Sequence, residues 1–257
     1  MKRIFSVLLV CVSLVFTGCL DIVEEVTLAA AGTGSYKMKM DMSGMFEMIE
    51  MLAAMDTSSN SDLKKLGDKN FDSSFQLKSM TDTATNLTAE QKRFFSRATG
   101  HMLMNAKDKK FVITMDFPFD KPEDIGTLTQ MAGGGKGLGM LGKSAGGSLL
   151  GKGDGDDTDI PSFDIYDWKF TKNLMERKVN EQKYAAFKKD TKIKELGEAE
   201  SMFGQMNMRT VIHLPAPAKK AIGDKVQLSG DKKTVTVNAT FYDIIKNPSA
   251  LAYRIEF

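Results

Sequence analysis

The chain has 257 residues, 35 of them lysine or arginine and 33 aspartate or glutamate, with a formal net charge of +2. That near balance is far from the basic footprint of a nucleic-acid binder, so nucleic acid is excluded as a partner. Cysteine occurs only at Cys11 and Cys19, which leaves no disulfide framework, thiol chemistry or cysteine metal site for a folded domain downstream.

Lys2 and Arg3 open the chain, Ile4 to Phe16 follow as an apolar run broken by Ser6 and Ser13, and Thr17-Gly18 precede Cys19. Charge, apolar run and small residues in that order mark a secretory signal peptide. The run is shorter than the ~20 residues a membrane-spanning helix needs. Val15-Phe16-Thr17-Gly18-Cys19 resembles the bacterial lipobox, with Phe16 where leucine is usual. The resemblance implies a signal peptide over residues 1–18 and lipidation of Cys19. Each buried methylene contributes about 0.8 kcal/mol, so two or more acyl chains hold a protein stably where one alone exchanges. Leu20 rather than aspartate follows Cys19, which by analogy with the enterobacterial sorting rule points to the outer membrane. Loss of Lys2 and Arg3 leaves 33 basic residues against 33 acidic ones in the mature chain.

Residues 21–30 read as a strand carrying Ile22, Val26 and Leu28, and Gly32-Thr33-Gly34 as a turn. Tyr36, Met38, Met40 and Met42 alternate with Lys37, Lys39 and Asp41, the period of a half-buried strand. Ser43 is placed to cap a helix over 44–55 with Met45, Met48, Ile49, Leu52 and Met55 on one face. Phe71, Ser73, Phe75 and Leu77 suggest a short strand, and Thr88-Ala89-Glu90-Gln91 fits a capping box opening a helix with Phe94 and Phe95. Residues 101–106 and 111–119 predict a hairpin around Lys107-Asp108-Lys109-Lys110. Pro122 suits the first turn of a short helix carrying Ile125, Leu128 and Met131. Residues 132–159 change character: 11 of the 22 glycines lie between Gly133 and Gly155, the composition of a flexible insertion. Beyond Pro161, residues 163–171 and 173–180 predict a hairpin and 191–203 a helix. Met206 to Leu214 alternate as a strand, Val226 and Leu228 pair with Val235 and Val237 around Ser229-Gly230-Asp231-Lys232, Tyr242 to Lys246 make a helical turn, and 250–257 close as a strand. Hairpins with interspersed helices and no parallel βαβ rhythm predict an α+β fold on antiparallel sheet. Residues 19–257 are read as one such domain with a glycine-rich insertion at 132–159.

Few motifs carry chemistry. Gly137-Leu138-Gly139-Met140-Leu141-Gly142-Lys143-Ser144 fits the phosphate-loop formula, but without the strand before and the helix after that the formula requires; a glycine-rich segment matches it by chance. Seven methionines lie between Met38 and Met55. Thioethers are soft ligands for Cu(I), yet the spacing lengthens where strand becomes helix, as a core face should. Asp154, Asp156, Asp157 and Asp159 lack the glycine and glutamate of a calcium loop. His101 and His213 stand outside any serine-nucleophile setting. Paired carboxylates need no histidine, so a hydrolase remains an alternative with no pair singled out.

Gly32-Thr33-Gly34-Ser35-Tyr36, the methionine-rich segment after it, and the run from Val211-Ile212-His213-Leu214-Pro215 through Lys233-Thr234-Val235-Thr236-Val237 resemble lipoproteins of the Bacteroidota. The last run is also distantly similar to the LppM-type lipoprotein domain, which implies an α+β module in contact with lipid and brings no catalytic residues. The expectation is a non-enzymatic envelope lipoprotein, anchored through Cys19, without cofactor or metal. It binds a lipid, another apolar ligand or an envelope protein. The alternatives are a periplasmic copper-binding protein using the Met38–Met55 cluster and an envelope hydrolase.

Overall fold

The computed structural model describes residues 20–44, 46, 70–78, 87–133, 164–191, 193–195, 197 and 205–257. The signal peptide, Cys19, most of the helix expected over 44–55, the phosphate-loop match and the Asp154–Asp159 cluster lie outside the described residues, as does the glycine-rich insertion beyond its first two residues.

The N-terminal half of the described chain contains β1 (Leu20–Leu28), β2 (Gly34–Asp41), β3 (Asn70–Gln76), α1 (Ala89–Phe95), β4 (Thr99–Asn105), β5 (Lys110–Phe119) and α2 (Asp124–Gly133). After it come β6 (Tyr166–Thr171), β7 (Leu174–Val179), α3 (Glu181–Phe187), β8 (Met206–His213), β9 (Lys220–Ile222), β10 (Val226–Leu228), β11 (Thr234–Thr240), α4 (Phe241–Lys246), a 3-10 turn at Pro248–Leu251 and β12 (Tyr253–Glu256). Eight strands form one sheet in the order β10-β11-β8-β1-β2-β5-β4-β3, and four form a second in the order β6-β7-β12-β9. This is the expected α+β class on largely antiparallel sheet.

Local chemistry explains the elements. The Thr88 hydroxyl accepts from the Gln91 amide while the Gln91 side chain accepts from the Thr88 amide, closing the capping box of α1. Thr240 and Asp243 do the same for α4. The β1–β2 turn places Gly32 at φ +91°, a conformation that suits glycine. At Gly34 a side chain would strike the Thr27 carbonyl oxygen and the Phe119 ring, so glycine lets β1, β2 and β5 approach.

The period of two sends one face of the large sheet inward. Val26, Tyr36, Phe117, Ile212 and Val235 align across five strands of it, and all are buried. Helices α1 and α2 cover its β2–β5 side, burying Phe94, Phe95, Ile125 and Leu128. The 3-10 turn joins β11 of the large sheet to β7 of the small one, and α4 lies against β8 and β11.

Three features depart from the sequence reading. First, β1 and β8 pair in parallel, Leu20 beside Met206 through Thr27 beside His213. The two strands are remote in sequence, so no local pattern announces the pairing. Second, the helix after β7 begins at Glu181, where the Asn180 side chain accepts from the Lys183 amide; of the helix expected over 191–203, residues 191, 193–195 and 197 are described as helical. Third, Lys220–Ile222, for which the sequence predicts no element, form β9 and pair antiparallel with β12.

Candidate functional site

Two places on the inward face of the large sheet stand out, one ionic and one apolar. The ionic one joins the two sheets. Glu24 occupies an inward position of β1 and Arg177 an inward position of β7, exposed to 8% and 4%. The Arg177 Nη1 donates to Glu24 Oε2 at 3.1 Å and to the Thr210 hydroxyl at 3.1 Å. The Thr210 hydroxyl donates to Glu24 Oε2 at 2.9 Å, and Tyr36 donates from its hydroxyl to Glu24 Oε1 at 3.1 Å. The guanidinium carbon lies 4.7 Å from the Tyr166 ring centre and 4.4 Å from that of Trp168, the geometry of a cation over aromatic faces. On β12, Tyr253 is the register partner of Arg177.

Burial works most strongly against the Arg177 charge, but Glu24 together with Tyr166, Tyr253 and Tyr36 outweighs it and the guanidinium pKa is raised. Burial likewise raises the phenols: Tyr166 to about 12, with Tyr36 and Tyr253 also well above the usual value. The cluster therefore holds one buried carboxylate against one permanent cation. It offers no nucleophile beside a base. It is built as an electrostatic staple between sheets.

The apolar place is the end of the large sheet at which β1 begins with Leu20. Leu20 and Ile22 of β1 stand beside Met206 and Met208 of β8. Ile22 faces Met40 of β2 on its other side, and Met42 follows β2. These rows are less covered than those deeper in: Leu20, Ile22, Met42, Met206 and Met208 are half-buried, whereas Met38 and Met40 are 3% and 6% exposed.

The structure distributes the other sequence candidates. Met38 lies opposite Met115 of β5, and Met102 and Met104 of β4 share their inward face; Met45, Met48, Met51 and Met55 lie outside the described residues. His213 and His101 both belong to the outward face, where the His213 Nε2 pairs with Glu25 at 3.1 Å and the His101 Nε2 with Asp72 at 2.9 Å. Asp21 and Asp41 are register partners on the outward face. Each is tied, Asp21 accepting from Asn207 at 2.6 Å and Asp41 paired with Lys39 at 3.3 Å. Among the described residues, no group of three or more His, Cys, Asp or Glu is arranged to hold a metal ion.

The Glu24–Arg177 staple escaped the sequence reading. Its signal was present in two interrupted alternations: an acid between Ile22 and Val26, and an arginine between Met175 and Val179.

No family model matches the chain, and no curated protein matches it in sequence. Among solved structures, the NMR structure of the folded domain of Mycobacterium tuberculosis LppM aligns over 95% of this chain and 94% of that one. The TM-score is 0.34 and the identity 10%.

Proposed function

We propose that the chain is an exported lipoprotein, anchored in the outer membrane of the envelope by acyl chains on Cys19, and that its domain binds a lipid or a ligand of similar apolar chemistry. The observation that carries the reading is the graded inward face of the large sheet. It is lined by methionine and phenylalanine, and its half-buried rows Leu20–Met206 and Ile22–Met208 begin one residue after the lipobox cysteine. Methionine suits such a face because its unbranched thioether repacks around guests of varied shape. The small sheet and its staple would hold the opposite cover in place while the Cys19 end admits the ligand.

Native mass spectrometry of the mature protein, extracted gently from an envelope-containing host, tests the reading. An added mass matching a phospholipid or fatty acid supports it. A bare acylated polypeptide refutes ligand binding. The register pairing of Met38 with Met115 supports a second reading, Cu(I) held by thioethers. Under that reading the added mass is copper, and it disappears in Met38→Leu/Met115→Leu.

A further inference from the structure

The register of the large sheet fixes what lies beside the anchor. Strand β1 begins at Leu20, directly after Cys19 in sequence. Consecutive Cα atoms are about 3.8 Å apart. The headgroup layer of a bilayer is roughly 5–8 Å thick on each side, half the difference between its ~40–45 Å full and ~30 Å hydrocarbon thickness. An acylated Cys19 thus holds the first residue of β1 inside the headgroup layer, with no linker to let the domain swing away.

Five neighbouring strands bring defined groups to that same end. Strand β8 starts there with Met206, and β2 ends there with Asp41. Because Asn207 pairs with Thr240, β11 also ends there and delivers α4, which exposes Tyr242 at 52%. On the other side β5 starts there, so the β4–β5 turn presents Lys107, Lys109 and Lys110, three lysines against the single Asp108. The Lys246 ammonium lies 4.1 Å from the centre of the Tyr242 ring. Exposed tyrosine and lysines suit a headgroup layer, since each has an apolar body and a polar tip that can face water or phosphate. Asp243 at the same end is engaged by Lys225.

We infer that the Cys19 end of the eight-stranded sheet rests on the bilayer surface with its strands upright, Tyr242 on one flank and the Lys107–Lys110 turn on the other lying at headgroup level. The inference rests on the reading of Cys19 as acylated. The occupant of this surface is the anchoring membrane itself. Strand β1 climbs about 3.3 Å per residue, so an upright sheet carries the β1–β2 turn, with the exposed Ala30, some 25–30 Å from the anchor.

The test uses the full acylated protein with Tyr242→Cys, Lys107→Cys or Ala30→Cys, each carrying an environment-sensitive fluorophore. All three positions are exposed, and the acylated Cys19 thioether cannot take the label. The probe is a vesicle of phosphatidylethanolamine and phosphatidylglycerol containing a phospholipid with a doxyl quencher near its headgroup. Quenching severalfold stronger at positions 242 and 107 than at 30 is expected. Equal quenching at all three means a sheet lying flat and overturns the upright orientation. No quenching at any position, with acyl mass present on the N-terminal peptide of the same sample, overturns the docking and leaves the lipoprotein reading intact. An N-terminal peptide without acyl mass overturns both.

Discussion

Arg177→Met removes the cation that the structure places against Glu24 and leaves that carboxylate facing a packed interior. Its remaining donors are the hydroxyls of Tyr36 and Thr210, at 3.1 and 2.9 Å. Breaking a buried pair by deleting one partner costs about 3–5 kcal/mol, because the surviving charge has neither water nor counter-ion. Replacing both charges with apolar groups of similar size is often neutral or stabilising by about 1–4 kcal/mol. Against this, Tyr36 and Thr210 would lose their acceptor, at roughly 1–3 kcal/mol for each hydroxyl left unsatisfied. The double variant Glu24→Leu/Arg177→Met should therefore be more stable than Arg177→Met alone. Urea unfolding of the purified protein in mild detergent measures both, and Trp168, the chain's one tryptophan, reports on the site directly because it stacks on the guanidinium. A loss below about 1 kcal/mol in Arg177→Met, the range of exposed pairs, would refute the assignment of a buried inter-sheet staple. So would a double variant no better than the single one.

Three further outcomes follow from the same structure. Burial raises the pKa of Tyr36, Tyr166 and Tyr253 in the fold, so the stability of these neutral phenols is complete below the ordinary value of about 10 and is lost as pH climbs past it. Phenolate absorbance should consequently show these three ionising together with alkaline unfolding; their titration in a still-folded protein would contradict the burial. Burial opposes ionisation of Asp243, but Lys225 and Thr240 overcome it and hold the carboxyl below its usual range. That contribution is present above about pH 4 and fades as pH falls through the lowered value, so Lys225→Met should narrow the stability gap between pH 7 and strong acid, read from melting temperatures. In Gly34→Ala the added methyl meets the Thr27 carbonyl, a backbone atom that cannot turn aside, and a loss of about 1–3 kcal/mol is expected from such overpacking; an unchanged urea midpoint would show that the β1–β2 ribbon shifts freely.

Elements whose stabilising interactions lie close in sequence were legible before the structure. Thr88 and Gln91 announced α1, because a capping box is completed within four residues. The alternation from Tyr36 to Met42 and from Phe111 to Phe119 named the buried face of β2 and β5, because a strand's side chains repeat every two residues wherever it sits. Helix α3 was missed although Asn180 caps it, because its seven residues bury only Tyr184 and Phe187, too few to show a helical period.

The sequence by itself determined the lipobox-like start, the α+β class, the inward faces of the hairpins, and the core assignment of Met38 and Met40. These follow from local periodicity, capping and turn chemistry, which act over a few residues. Only the tertiary structure decided that β8 lies parallel beside β1, that Glu24 meets Arg177 across 153 positions of chain, and that Tyr242 and the Lys107–Lys110 turn share the end of the sheet where β1 begins at Leu20. Those facts depend on which surfaces bury one another, and burial at long range carries no fixed spacing for a sequence to display.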